Sequence, residues 1–434
     1  MNIILLSGGS GKRLWPLSND IRSKQFIKIF KHENNYESMV QRVFRQIKSA
    51  APDADITIAT SKAQVSAIHN QLGSDVSVCV EPYRRDTFPA IVLAAAYLHD
   101  VKNINENEAV AVCPVDPYVE ENYFECVKKL FSAAQNDEAN IILMGIAPTY
   151  PSSKYGYIIP KDNTINFIEK PSEADAEKYI AQGALWNGGV FAFKIKYILD
   201  KSKKILGANN YYGLLENYNA LKKISFDYAV VEQEKNLSLI KYSGTWKDLG
   251  TWNTFAEAME ENTVGTVILN DNCSNVNVIN ELNVPILATG LKDVVISASP
   301  EGILVSDKKQ SSYIKPLVES INQPIMFAEK SWGSYRVIDV EADSLTVKVT
   351  LNPGHKMNYH SHEHRDEIWN VISGAGAAII DGVKKEIKPG DVLKMPRGSK
   401  HTVIADGLGL QIIEVQLGRD INVYDKKKYA LEED

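Results

Sequence analysis

Ile3-Ile4-Leu5-Leu6-Ser7-Gly8-Gly9-Ser10-Gly11-Lys12-Arg13-Leu14-Trp15-Pro16-Leu17 is the stretch on which the reading of this chain turns. Four apolar residues make a short buried strand, and the glycines behind them turn the chain sharply. Gly8, Gly9 and Gly11 let backbone N–H groups approach a polyphosphate closely, while Lys12, Arg13 and, further on, Lys24 add positive charge. Two commoner phosphate motifs are excluded. A P-loop would need glycine at Leu6 and Ser or Thr at Arg13, and a dinucleotide fingerprint starting at Gly9 would need its third glycine at Leu14.

Outward from this loop, short β-rich runs alternate with helical patterns, the signature of an α/β domain with a largely parallel sheet. Expected strands are Ile3–Leu6, Ile56–Thr60, Ser77–Val80, Ala109–Cys113 and Ile141–Ile146. Expected helices are Tyr36–Ser49, Ala63–Leu72, Pro89–His99 and Tyr123–Ala134. From Val264 the texture changes to short strands between turns (Val276–Ile279, Pro285–Thr289, Val294–Ala298, Ile303–Ser306), as in a small β-helical coil or meander, followed by a helix near Ile314–Ile321. After Pro324 the chain is β-rich with glycine turns, as an all-β barrel would be.

A chain of 434 residues exceeds one ordinary core, given roughly 100–200 residues per domain. Three domains are expected, at 1–262, 263–323 and 324–434. Forty-four per cent of residues are hydrophobic and the net charge is −6, which makes a globular protein with no general field to attract nucleic acid or an anionic membrane. Cys79, Cys113, Cys126 and Cys273 show neither metal-like nor disulfide-like spacing and read as free thiols in a reducing compartment. The N-terminal run lacks the features of a signal peptide, and no run has the ~18 apolar residues of a membrane span. The expected location is the cytoplasm.

The pattern GGxGxRLxPLS with a later Lys resembles the sugar-1-phosphate nucleotidyltransferases. Glu81-Pro82, Arg85-Asp86-Thr87 and Pro89-Ala90, then Phe167-Ile168-Glu169-Lys170-Pro171, Leu185-Trp186-Asn187-Gly188-Gly189, Phe226-Asp227-Tyr228-Ala229-Val230 and Trp246-Lys247-Asp248-Leu249-Gly250-Thr251-Trp252 follow in that family's order. The wording is similar to the bifunctional mannose-1-phosphate guanylyltransferase / mannose-6-phosphate isomerase family. That resemblance implies an α/β nucleotidyltransferase domain with a mostly parallel, Rossmann-like sheet, a short β-helix-like segment, and an all-β cupin barrel. The reaction it implies is attack of a sugar phosphate on the α-phosphorus of a nucleoside triphosphate, which needs positioning and charge neutralisation and no covalent nucleophile.

By the same resemblance, Asp116 and Asp248 would share Mg²⁺, Arg13 and Lys24 would neutralise the leaving pyrophosphate, and these four are the expected catalytic residues. Gly8, Gly9, Gly11, Lys12, Glu81, Arg85 and Thr87 would bind the nucleotide, and Gly156, Glu169, Lys170 and Asn187 the sugar phosphate. Guanine presents two donors that a carboxylate such as Glu81 can accept together. The expected substrates are GTP and mannose 1-phosphate, with no nucleic acid and no membrane as partner, and the chain is expected to form a homo-oligomer, dimer or tetramer. The family resemblance also implies a place in capsule or surface-polysaccharide supply.

Five of eight histidines cluster at positions 355, 360, 362, 364 and 401. Gly354, His360, His362, Glu367 and Gly374 follow G-x5-H-x-H-x4-E-x6-G, and Gly390, Pro396, Gly398 and His401 follow G-x5-P-x-G-x2-H, the two cupin motifs. Alternate strand residues share a face, so His360 and His362 point together into the barrel, where Glu367 and His401 complete a metal set. Three imidazoles and a carboxylate suit Zn, Co, Mn, Ni or Fe. Trp332-Gly333-Ser334-Tyr335 and His362-Glu363-His364-Arg365-Asp366-Glu367-Ile368-Trp369 resemble the isomerase half of the bifunctional family. Arg365, Lys348, Lys400 and Lys426–Lys428 are the cations that could hold a phosphate there.

Several positions depart from the family pattern. Arg84–Phe88 stands for G-R-N-T-A, Val115-Asp116-Pro117 for S-D-H, Gly188 for Ser, His360 for Gln, and Val423–Tyr429 for a tail with arginines. The alternative reading is therefore a nucleotidyltransferase for another hexose or heptose 1-phosphate or another NTP, with the cupin a binding or assembly module.

Overall fold

The computed structural model describes residues 1–9, 12–161, 164–419, 421 and 425–431. Gly11 and the tail residues Val423 and Tyr424 lie outside the described residues.

The N-terminal sheet runs in the order Thr164–Ile168, Tyr157–Lys161, Leu185–Lys194, Ala109–Pro114, Asn2–Ser7, Asp55–Ser61, Ser77–Glu81, with Ile141–Ile146 and Leu237–Tyr242 joined beyond Leu185–Lys194. Seven of these nine described strands point the same way; Leu185–Lys194 and Thr164–Ile168 are reversed. The sheet is thus mostly parallel, as expected. Alternation along the first strand explains its two cores: Ile3 and Leu5 enter one apolar cluster and Ile4 the other. Thr87–Asp100 is apolar on every side and buried accordingly.

Helix starts differ from the periodic pattern where capping chemistry intervenes. The helix expected from Tyr36 begins at Met39, because Ser38 and Gln41 form a reciprocal capping box and Asn35–Glu37 pairs instead with Phe30–His32. The helix expected from Pro89 begins at Thr87, whose N–H donates to the Asp86 carboxylate, and Pro89 falls in its first turn.

In the middle segment, Thr263–Val264, Asn277–Asn280 and Val294–Ser299 pair in parallel, and so do Val267–Leu269 and Ile286–Ala288. Gly302–Asp307 closes the first of these sheets antiparallel to Val294–Ser299 and forms its edge. The short helix Lys315–Glu319 follows.

The C-terminal unit is a curled antiparallel sheet in which the long strands Asp366–Ile380 and His401–Leu417 pair along most of their length. Phe327–Lys330, Gly333–Val340 and Ser344–Leu351 extend it on one side. Trp332, Val349, Trp369, Val371, Val403 and Ile412 fill its core.

Candidate functional site

Asp116 lies two residues beyond the end of the strand Ala109–Pro114, and Trp246–Asp248 pairs with Pro117–Val119 in a register that sets Asp248 opposite Pro117. Two carboxylates far apart in sequence are thereby brought together. Lys24 Nζ stands 2.8 Å from Asp116 Oδ2 and 3.5 Å from Asp248 Oδ1. Burial alone would lower the Lys24 pKa, but the charges of Asp116 and then Asp248 raise it above the ordinary lysine value. Asp116 and Asp248 are 39% and 41% exposed, so the carboxylates converge on a cation while staying open to solvent. This donor set fits a hard divalent ion such as Mg²⁺.

The glycine loop begins at the end of the first strand, immediately beside this pair. Gly9 has φ 118°, which a side chain would resist, although a Cβ there would meet nothing within 4 Å. The Gly9 carbonyl accepts from Ser23 Oγ at 2.8 Å and from Gln64 Nε2 at 3.1 Å. Gly8 and Arg13 are exposed, and Lys12 pairs with Asp20 at 3.1 Å.

Three residues expected at the nucleotide use their side chains on the segment Tyr218–Phe226. Glu81 accepts from the Tyr218 hydroxyl at 3.0 Å, Arg85 Nε donates to the Tyr218 carbonyl at 3.3 Å, and Thr87 Oγ1 accepts from the Phe226 N–H at 2.8 Å. Burial pushes the Glu81 carboxyl up to about 7, against the opposing pull of the Tyr218 hydrogen bond and Arg84.

Gly156, Glu169, Lys170 and Asn187 form one cluster. A Cβ on Gly156 would sit 2.5 Å from Glu169 Oε2 and 2.8 Å from Phe167 Cζ, so a side chain there would push both aside. Lys170 Nζ is 2.8 Å from Glu169 Oε1, and the Asn187 N–H donates to the Gly156 carbonyl at 2.8 Å. Asn187 Nδ2 donates to Asp227 Oδ1 at 2.6 Å, which adds a carboxylate to the cluster. Burial, then the Glu169 charge, raise the Asp227 pKa to about 6. The sequence block around Asp227 gives that residue no role by itself; its apolar flanks in Phe226-Asp227-Tyr228 are the available signal. Tyr155 packs tilted on Trp186 and edge to face on Trp246, with centroids 4.9 and 5.3 Å apart, and so connects this cluster to the strand that carries Asp248.

In the C-terminal unit His360, His362 and His401 are 3%, 2% and 1% exposed, with ligand atoms all within 4.8 Å of one another. His360 and His401 are direct cross-strand partners. Each Nδ1 meets a main-chain carbonyl: that of Asn358 at 2.6 Å, of Ser399 at 3.0 Å, and of Asp425 in a close contact with His362. With Nδ1 protonated toward those carbonyls, the Nε2 atoms present lone pairs inward. His362 Nε2 and His401 Nε2 lie 3.1 and 3.2 Å from the two oxygens of Glu367, and His401 Nε2 is buried without an aligned hydrogen bond. His362 Nε2 accepts from Arg365 Nη2 at 3.1 Å, whereas the His401 Nε2 lone pair faces the carboxylate with no such donor, and three imidazoles with a carboxylate fit a transition metal.

Glu367, the expected fourth ligand, is 2% exposed and also accepts from Arg365 Nε at 2.8 Å and Trp369 Nε1 at 3.1 Å. Burial opposes its ionisation, which the adjoining Arg365 guanidinium favours. Burial and the Lys426 charge push the His360 pKa down to about 2, which keeps it neutral and ligand-competent. Glu414, which the motifs do not reach, is buried beside Glu367 and raised to about 8, first by burial and then by that neighbouring charge. Lys426 is lowered to about 8, chiefly by burial.

Residues 2–264 match the family described as nucleotidyl transferase, and residues 322–429 that described as mannose-6-phosphate isomerase C-terminal. The mannose-1-phosphate guanylyltransferase of Salmonella montevideo is 26% identical, over 98% of this chain and 99% of that one. The alginate biosynthesis protein AlgA of Pseudomonas aeruginosa is 26% identical over 96% and 93%. Among solved structures, one described as mannose-1-phosphate geranyltransferase from Thermus thermophilus superimposes with a TM-score of 0.63 at 26% identity, over 73% of this chain and 98% of that one. No helix among the described residues is long and apolar enough to cross a membrane.

Proposed function

The chain belongs to the nucleotidyl transferase family, and on that premise we propose that it transfers a nucleotidyl group from GTP to mannose 1-phosphate, releasing GDP-mannose and pyrophosphate. The observation that carries this reading is the convergence of Asp116, Asp248 and Lys24 beside the glycine loop. Mg²⁺ held by the two carboxylates would supply Lewis-acid neutralisation of the phosphates. Gly8, Gly9 and Gly11, with Lys12 and Arg13, cradle the polyphosphate; Lys24 and Arg13 offset charge as pyrophosphate departs. Glu169 and Asn187 orient the sugar hydroxyls against the Gly156 backbone, and Lys170 holds the sugar phosphate for in-line attack. Glu81, Arg85 and Thr87 hold the base-side wall against Tyr218–Phe226.

The C-terminal unit we assign to interconversion of mannose 6-phosphate and fructose 6-phosphate, with His360, His362, His401 and Glu367 holding Zn, Co, Mn, Ni or Fe to polarise the sugar oxygens. The domain limits are 1–262, 263–323 and 324–434. A cytoplasmic homo-oligomer completes the reading, supported by the edge strand Gly302–Asp307, whose Ile303 and Val305 are 62% and 65% exposed. The test is a panel of NTPs and sugar 1-phosphates with Mg²⁺, scored by pyrophosphate. GTP with mannose 1-phosphate should lead; no release with any pair would defeat the transfer, and a different leading pair would correct the substrates. Mannose 6-phosphate with added Co²⁺ or Zn²⁺ should yield fructose 6-phosphate.

A further inference from the structure

All the groups assigned above to nucleotidyl transfer fall within residues 2–264, yet the loop that carries Lys24 is fastened from outside that span. Arg22, 7% exposed, forms a two-pronged pair with Glu281: Nη1 to Oε2 at 2.7 Å and Nη2 to Oε1 at 2.8 Å. Its guanidinium also stacks 5.1 Å from the ring centre of Phe327 in the first strand of the C-terminal unit. Three residues earlier, Asn19 Nδ2 donates to Glu301 Oε1 at 2.7 Å and to the Phe327 carbonyl at 2.8 Å. The same Glu301 oxygen accepts the N–H groups of Met326 and Phe327, each at 3.0 Å. Asn19 Oδ1 in turn caps the N–H groups of Ile21 and Arg22 at 2.8 and 2.6 Å.

The next two residues reach the transfer site itself. Ser23 Oγ holds the Gly9 carbonyl, and Lys24 reaches both carboxylates. A guanidinium pinned by two hydrogen bonds and a ring face fixes position and orientation together, which a single lysine contact would not. We infer that Arg22 is a positioning residue for nucleotidyl transfer, holding Ser23 and Lys24 in register through Glu281 and Phe327, so that the middle segment and the first strand of the C-terminal unit are part of the transfer machinery. The inference rests on the transfer reading above.

Positioning predicts a loss in turnover rather than in binding, because Lys24 acts on charge that develops as pyrophosphate leaves. In the full chain with GTP, mannose 1-phosphate and Mg²⁺, Glu281→Gln should lower kcat about 10-fold with both KM values changed less than about 2-fold. Arg22→Lys, which keeps the charge and loses the fork, should fall between parent and Glu281→Gln. Nucleotide-titrated active-site concentration should match the parent in both variants. An active parent with an unaffected Glu281→Gln variant overturns the positioning role alone, as does a fall in kcat mirrored by an equal fall in titrated sites. A parent that releases no pyrophosphate overturns the transfer reading and this role with it.

Discussion

The two sites of this chain solve opposite electrostatic problems. Asp116 and Asp248 keep about two-fifths of their side-chain surface in water, and Lys24 offsets one of their two charges. In the barrel His360, His362, Glu367 and His401 keep at most 3%, and burial moves His360, Glu414 and Lys426 far from their ordinary pKa values. An open cleft suits a polyanion that arrives with its Mg²⁺ and leaves as pyrophosphate with it. A closed set of neutral imidazoles suits an ion that stays. The difference teaches that carboxylates can be held open to water at one site and closed off among imidazoles at the other, which under the proposed reading would suit exchange at the first and retention at the second.

The sharpest way to break the comparison is Asp248→Asn. It should lower pyrophosphate release by about 10³-fold while the metal content of the barrel is unchanged; loss of both would mean the sites are one cooperative unit. Next in size, His362→Ala should weaken barrel metal binding by more than about 100-fold in a chelator competition, since even outer-shell partners of a ligand are worth about 10–100-fold. Transfer should continue in that variant.

Gly156→Ala should raise the KM for mannose 1-phosphate about 10-fold, because its Cβ would displace Glu169 and Phe167. An unchanged KM would place the sugar elsewhere.

Stability, rather than rate or binding, is the readout for Glu81, a group in the transferase half that is buried as the barrel residues are. Its folded pKa of about 7 lies above the ordinary 4.5, so the folded state holds the proton more tightly. Stability is then full below about pH 4.5 and is lost as pH rises through about 7. Glu81→Gln should therefore raise the unfolding free energy more at pH 8 than at pH 5, by up to about 3 kcal/mol at about 1.4 kcal/mol per pKa unit. Equal shifts at both pH values would show the carboxylate to be charged in the fold.

The legible parts of this molecule are those whose signal is local. Ile3–Leu6 and its neighbours read as strands because their apolar runs are short and bounded by turns, and the histidines stand out because alternation on a strand is a two-residue rule. The helices starting at Met39 and Thr87 lie two or three residues from where the apolar period puts them, because a cap outranks the period that precedes it. Glu414 and Arg22 carry no such signal, and Asp227 only its apolar flanks. Each acquires its role from a partner that the chain reaches only after folding: Asn187 for Asp227, Glu367 for Glu414, and Glu281 for Arg22. The side chains of Arg85 and Thr87 illustrate the converse, since a sequence block can single out residues without revealing that a neighbouring segment already engages them.

The main-chain amides of Met326 and Phe327 end on Glu301, across the seam between the proposed second and third domains. A fragment cut at Gln323 would retain Asp116, Asp248, the glycine loop and Lys24. It would nevertheless leave Glu301 facing Asn19 without two of its donors and strip the ring from beneath Arg22. The halves are thus not interchangeable cassettes. Expressing the first alone, or grafting it onto another barrel, requires carrying the strand Phe327–Lys330 along as the last piece of the first half rather than the first piece of the second.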